Sequence, residues 1–262
     1  MAGSAGNMSN ILTFRYQRDK KMGRYDICGM THAGLKGYNE DAYTIVEIGN
    51  VCLLAVADGV GGCAGGERAA RIAIETVSSS FTRRCHEGMD AEDVADLLYN
   101  AFHEADRRIR AEQHRYGKMG TTLVAAVISG RRVVIANCGD SRAFIAGKTI
   151  VFRTQEHSFV NTLLQSGSIR PEEAEDHPLR SVITHALGVN VRVDLYEEEL
   201  GRERVLVLAS DGLSGRTAAE ICAGDLSLTS EELTRRLMEG ALLTGDDDVT
   251  VVSFRDRALF FT

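Results

Sequence analysis

The chain has 262 residues, 44% of them hydrophobic and 26% charged, with a formal net charge of -7. That length suits one large domain with a substantial core. The acidic balance argues against a nucleic-acid binder, which would carry a basic face, and suits a protein that holds divalent cations. The cysteines, Cys28, Cys52, Cys63, Cys85, Cys138 and Cys222, form no CxxC pair and no zinc-ligand spacing. They read as buried free thiols of a reducing compartment.

In chain order, residues 1–22 are a loose polar lead-in without an apolar core of signal-peptide length. A single domain is expected from 23 to 262. Strand-like runs come first at 25–30 (YDICGM), 42–48 (AYTIVEI) and 51–57 (VCLLAVA). Helical spacing follows at 66–85 and 91–116. Runs at 122–128 (TLVAAVI), 132–138 (RVVIANC) and 142–147 (RAFIAG) read as a tight antiparallel meander, with SGRR as a hairpin signal. The stretch 156–180 carries both prolines, Pro171 and Pro178, and reads as a short helix plus irregular loop. Such a segment is either a substrate flap or a tolerated surface insertion. Strands at 192–200, 204–210 and 249–254 and helices at 217–224 and 230–242 complete the chain. Strands and helices come in blocks, the pattern of an α+β fold with helices covering antiparallel sheet. No run approaches a membrane span, so a cytoplasmic protein without membrane contact is expected. A monomer is expected as well, since no long exposed apolar helix stands out.

Carboxylates recur at strand ends. Asn39-Glu40-Asp41 precedes the run at 42–48, and Asp58-Gly59 ends the run at 51–57. Asp211-Gly212 ends the run at 204–210, and Asp246-Asp247-Asp248 precedes the run at 249–254. A buried charge is costly unless it is paired or coordinates a metal. Clustered carboxylates repel one another, and hard divalent cations with oxygen ligands remove that cost. No His or Cys joins the cluster in sequence, which argues against zinc. The residues therefore point to an oxygen-ligand site, two cations wide, for phosphoester hydrolysis. Asp140, in Gly139-Asp140-Ser141-Arg142, is either a further ligand or part of a plain hairpin turn.

The ordered blocks GLKGYNEDA, LAVADGVGG, GTTLVAAV, NCGDSRAF, ITHALG, LASDGLS and DDDVTVV resemble the metal-dependent protein phosphatases, the protein phosphatase 2C or PPM family, over about residues 25–254. DGVGG and EHSFVNTLLQSGSI are similar to the prokaryotic branch. The resemblance implies a four-layer α-β-β-α sandwich of two antiparallel sheets. It implies hydrolysis of phosphoserine and phosphothreonine in proteins, with two Mn2+ or Mg2+ ions and attack by water held between them. Phosphoproteins made by a serine/threonine kinase would be the partners.

By the same resemblance Asp41 and Asp58 are ligands of the two core cations, with Asp58 bridging them, and Gly59 contributes its carbonyl. Asp211 and Asp247 are ligands from the C-terminal half, with Asp248 where the family usually has Asn. Glu40 would hold cation-bound water, and Asp140 a third, weaker ion. Lys36 stands where many members have an arginine that grips the phosphate; a lysine offers a point charge rather than a fork. Val60 stands where eukaryotic members often have a histidine, which leaves His32, His157 and His185 as possible proton donors or, as plainly, structural histidines. A catalytically silent phosphoprotein-binding module of the same fold is the alternative. A structural calcium site lacks EF-hand spacing.

Overall fold

The computed structural model describes residues 12–14, 25–35, 37–60, 65–174, 177–222, 228–244 and 246–259. The chain makes two antiparallel sheets. The first holds β1 (Leu12–Phe14), β2 (Tyr25–His32), β7 (Arg142–Ala146), β8 (Ile150–Arg153), β10 (Val205–Ala209) and β11 (Val249–Asp256), in the order β1-β2-β11-β10-β7-β8. The second holds β3 (Asp41–Ile48), β4 (Val51–Asp58), β5 (Leu123–Ser129), β6 (Arg132–Cys138) and β9 (Asp194–Glu199), in the order β3-β4-β5-β6-β9.

Side chains alternate across a strand, and β4 shows what that does here. Cys52, Leu54 and Val56 pack between the sheets with Ile128, Ile135, Leu206, Leu208 and Phe254. Leu53, Ala55 and Ala57 point the other way, onto α1 (Gly66–Arg84) and α2 (Ala91–Tyr116), among Ala73, Val77, Phe81, Leu98 and Phe102. A strand covered on both faces reads as an unbroken apolar run, as 51–57 does. The first sheet is covered in turn by α5 (Gly215–Cys222) and α6 (Ser230–Thr244), through Leu213, Ala218, Leu233 and Leu237. The result is the four-layer α-β-β-α sandwich.

The expected meander is half right. β5 and β6 form a hairpin through Gly130. After β6, however, the chain leaves the sheet, and β7 pairs with β10 of the first sheet. Residues 139–141 are therefore a crossover between sheets, and the hairpin reading of Gly139-Asp140-Ser141-Arg142 is wrong. Packed sheets lie roughly 10 Å apart, and three extended residues reach about that far. A short connection thus permits a change of sheet as readily as a turn. The segment 156–180 holds two short helices, α3 (Phe159–Gln165) and α4 (Pro171–Ala174). It returns to its own start, where Ser158 bridges Ile183 and Phe159 N–H donates to Val182 O at 2.8 Å.

Candidate active site

The β3–β4 register sets Asp41 directly opposite Asp58. Beyond β4 the chain is gripped by its neighbours. Asp58 C=O accepts from Thr122 N–H and from Thr121 Oγ1, both at 2.8 Å, and Asp58 N–H donates to Thr122 Oγ1 at 3.0 Å. Gly59 N–H donates to Glu40 O at 3.1 Å. A Cβ on Gly59 would lie 2.4 Å from the carbonyl carbon of Gly66, so glycine is what lets α1 begin against the Asp58 tip.

The first sheet brings its own acids to the same end. Ser210 follows β10, and its hydroxyl donates to Asp41 Oδ2 at 2.8 Å while accepting from Thr250 N–H at 2.9 Å. The other oxygen of Asp41, Oδ1, is buried with no hydrogen-bond partner among the described residues. Asp248 accepts from Gly34 N–H through Oδ1 and from Glu40 N–H through Oδ2, both at 2.8 Å. It thereby ties the β2–β3 loop to the start of β11. Asp140 reaches the cleft from the crossover, near the Arg142–Glu156 ion pair of 3.5 Å.

A cavity of about 250 Å³ opens between these elements, lined by Glu40, Asp58, Gly59, Asp140, Asp211 and Asp247, with Asp248 and Thr122 behind and Ser181 and Ile183 from just beyond the 156–180 segment. A larger cavity of about 440 Å³ adjoins it across Glu40, between Tyr38, Arg68, Arg71 and Tyr116, and holds none of the clustered aspartates. Among the described residues no three acidic, histidine or cysteine side chains already converge as a closed metal cage. The carboxylates line the walls of the cleft instead.

Their electrostatics follow from crowding. Burial, then the charges of Asp211 and Asp248, push Asp41 up to about 7, against the hydrogen bonds of Thr250 and Ser210. Burial and Asp211 push Asp140 up to about 8, with Arg142 opposing. Asp58 is driven well above the carboxylate range by burial and by Asp41, Asp211 and Asp140. Burial and Asp247 raise Asp211. Carboxyl groups this crowded and dehydrated hold protons unless a cation replaces them.

Glu40, Asp41, Asp58, Gly59, Asp140, Asp211 and Asp247 are thus brought to one end of the sandwich. Lys36 lies outside the described residues. Val60 lines the cleft. His157 does not; it is buried and hydrogen-bonded to Asp194 at 3.0 Å, with the ring of His185 against it. Sequence reasoning missed Ser210, Thr121, Thr122 and the anchoring role of Asp248. Their work is to hold backbone and carboxylates across long sequence separations. Only Ser210, adjacent to Asp211, had a local signal.

The sequence profile of the family described as "Protein phosphatase 2C" matches residues 28–248. The chain belongs to the protein phosphatase 2C family. Among its relatives is the "Serine/threonine phosphatase stp" of Listeria monocytogenes serotype 4b, 31% identical over 229 residues, 83% of this chain and 90% of that one. The crystal structure of the serine/threonine phosphatase Stp1 from Staphylococcus aureus superposes with a TM-score of 0.79 at 32% identity, covering 87% of this chain and 93% of that one. A structure of the catalytic domain of the serine/threonine protein phosphatase PstP in complex with two manganese ions superposes with a TM-score of 0.70 at 30% identity, covering 88% and 97%.

Proposed function

We infer that the acidic cleft removes phosphate from phosphoserine and phosphothreonine in proteins. The chain is a metal-dependent protein serine/threonine phosphatase. One observation carries the reading: carboxylates from both sheets share a cleft, and opposite its Asp58 stands Asp41, whose Oδ1 is buried and unpartnered among the described residues. An all-oxygen donor set of this kind fits Mn2+ or Mg2+. Asp41, Asp58, Asp211 and Asp247 with the Gly59 carbonyl would hold two such ions, Glu40 would hold water beside them, and Asp140 would hold a third more weakly. Bound there, divalent cations neutralise the carboxylates and the phosphoryl oxygens and make water nucleophilic at neutral pH.

The chain's own residues supply the rest. Ser210 orients Asp41 so that one carboxylate oxygen is committed and the other free for a ligand. Thr121 and Thr122 fix the backbone on either side of Asp58. Asp248 holds the β2–β3 loop against the cleft through Gly34 and Glu40, and by the family resemblance Lys36 would meet the substrate phosphate. Ser181 and Ile183 limit how the phosphorylated residue enters. The enzyme works as a cytoplasmic monomer on phosphoproteins left by a serine/threonine kinase. The free thiols Cys28, Cys52, Cys85, Cys138 and Cys222 suit a reducing compartment.

The test is hydrolysis of a phosphothreonine peptide by metal-stripped protein as Mn2+ is titrated back, with Asp58→Asn as control. Turnover that appears with Mn2+ and falls at least ~10³-fold in the variant is the expected result. Metal binding without turnover would favour the silent binding module.

A further inference from the structure

We propose that His157 is a positioning residue that fixes the Asp140 turn through the hydrogen bond its Nδ1 accepts from Gly139 N–H. The proposal rests on the reading of Asp140 as a cleft ligand given above. His157 is 5% exposed and stands at the first turn of the flap segment. Its N–H donates to Gly139 O at 2.9 Å, and its C=O accepts from Thr184 N–H at 2.7 Å, where the flap returns. Its ring reaches back to the same glycine, with Nδ1 at 3.2 Å from Gly139 N. A backbone amide only donates, so Nδ1 carries no proton and the ring proton sits on Nε2. Nε2 then donates to Asp194 Oδ2 at 3.0 Å, and Arg192 Nε holds the other oxygen of Asp194 at 2.9 Å.

One residue therefore grips both the N–H and the C=O of Gly139, and Asn137 Nδ2 adds a second donor to that carbonyl at 3.2 Å. The grip has a purpose. Gly139 has φ 111°, a conformation glycine reaches without strain but does not prefer over others, so its neighbours must select it. The next residue is Asp140, whose carboxyl group lines the cleft. Partners that orient a ligand in this way are worth on the order of 10–100-fold in metal affinity. His157 also ties the crossover to β9 through its ring and to Thr184 through its backbone carbonyl, so the Asp140 turn and the root of the 156–180 segment share one anchor.

Two variants separate this role from simple packing. In His157→Asn, Oδ1 takes the place of Nδ1 and still accepts from Gly139, while the contact with Asp194 is lost. In His157→Gln, Nε2 still reaches Asp194, while the acceptor for Gly139 is lost. Hydrogen exchange of the Gly139 amide in metal-free protein is the first readout, and Mn2+ affinity by calorimetry the second. We expect protection of Gly139 to survive in the Asn variant and to fall on the order of 10-fold or more in the Gln variant, with Mn2+ affinity following the same order. Equal loss in both variants, or no loss in either, would overturn the proposal. A Gly139 amide loosened by Gln with unchanged Mn2+ affinity would support the anchor and overturn Asp140 as a ligand. Peptide hydrolysis by the wild-type protein tests the phosphatase reading separately.

Discussion

Asp41 and Asp140 show how an active site stores repulsion. Buried and surrounded by like charge, they are raised to about 7 and about 8. In an unfolded chain both would titrate near 4. Between those values the folded metal-free protein binds protons that the unfolded chain has released, so its stability falls as pH rises. The contribution is full below about pH 4 and lost through pH 7–8. The melting temperature of metal-stripped protein should accordingly drop between pH 5 and pH 8, and Asp58→Asn, with one charge fewer, should flatten the drop. A melting temperature that rises over this range would contradict the buried cluster. Ser210 acts on the same carboxylate by a different route. Ser210→Ala removes the donor to Asp41 Oδ2 and the acceptor for Thr250 N–H. A loss of about 1–3 kcal/mol in stability is expected from the orphaned groups, with activity lower by ~10–100-fold. Denaturant titration and steady-state assays would measure the two effects, and full activity would remove Ser210 from the site.

At the scale of elements, legibility depended on whether the signal was local. The run at 51–57 announced β4 because both of its faces are buried, and Asp58 announced itself as the charge that ends it. The helices at 66–84 and 91–116 were legible from their apolar spacing, and α2 adds a local cap, Asp90 accepting from Asp93 N–H. Two short edge strands, β1 and β8, carried too little pattern to be seen. The crossover at 139–141 was misread because strand partners across a sandwich are chosen by global packing, on which a turn of three residues is silent. The resemblance gave Gly59 a role through its carbonyl; the structure adds a reason for the residue to be glycine, the approach of α1. Gly59→Ala places a methyl carbon within 2.4 Å of the Gly66 backbone, so α1 or the Asp58 tip must move. Overpacking of this kind costs about 1–3 kcal/mol. The expected outcome is a folded protein with a lowered melting temperature and little turnover, read by circular dichroism and peptide hydrolysis. Unchanged activity would mean that the tip does not need its present position.

For the whole molecule, the consequence lies in where the acids come from. Asp41 and Asp58 belong to one sheet, and Asp211 and Asp247 flank strands of the other. In the protein alone, what joins the sheets at this end includes the Ser210–Asp41 hydrogen bond and the grip of Asp248 on Gly34 and Glu40. The space between the sheets is filled by apolar side chains that stop short of the cleft. Cations bound by both sets of carboxylates would cross-link the two halves of the sandwich and replace like-charge repulsion with attraction. A ligand that binds only the folded state stabilises it by about 2.7 kcal/mol at a hundred times its Kd. For a domain of this size each kcal/mol shifts Tm by ~2–4 °C, so saturating Mn2+ should raise it by roughly 5–10 °C. The rise should be larger at pH 8 than at pH 5, where protons compete for Asp41 and Asp140. It should disappear in Asp58→Asn, which removes the carboxylate proposed to bridge the two cations. A Mn2+-dependent rise that persists undiminished in that variant would place the cations elsewhere on the molecule and undo the cross-link.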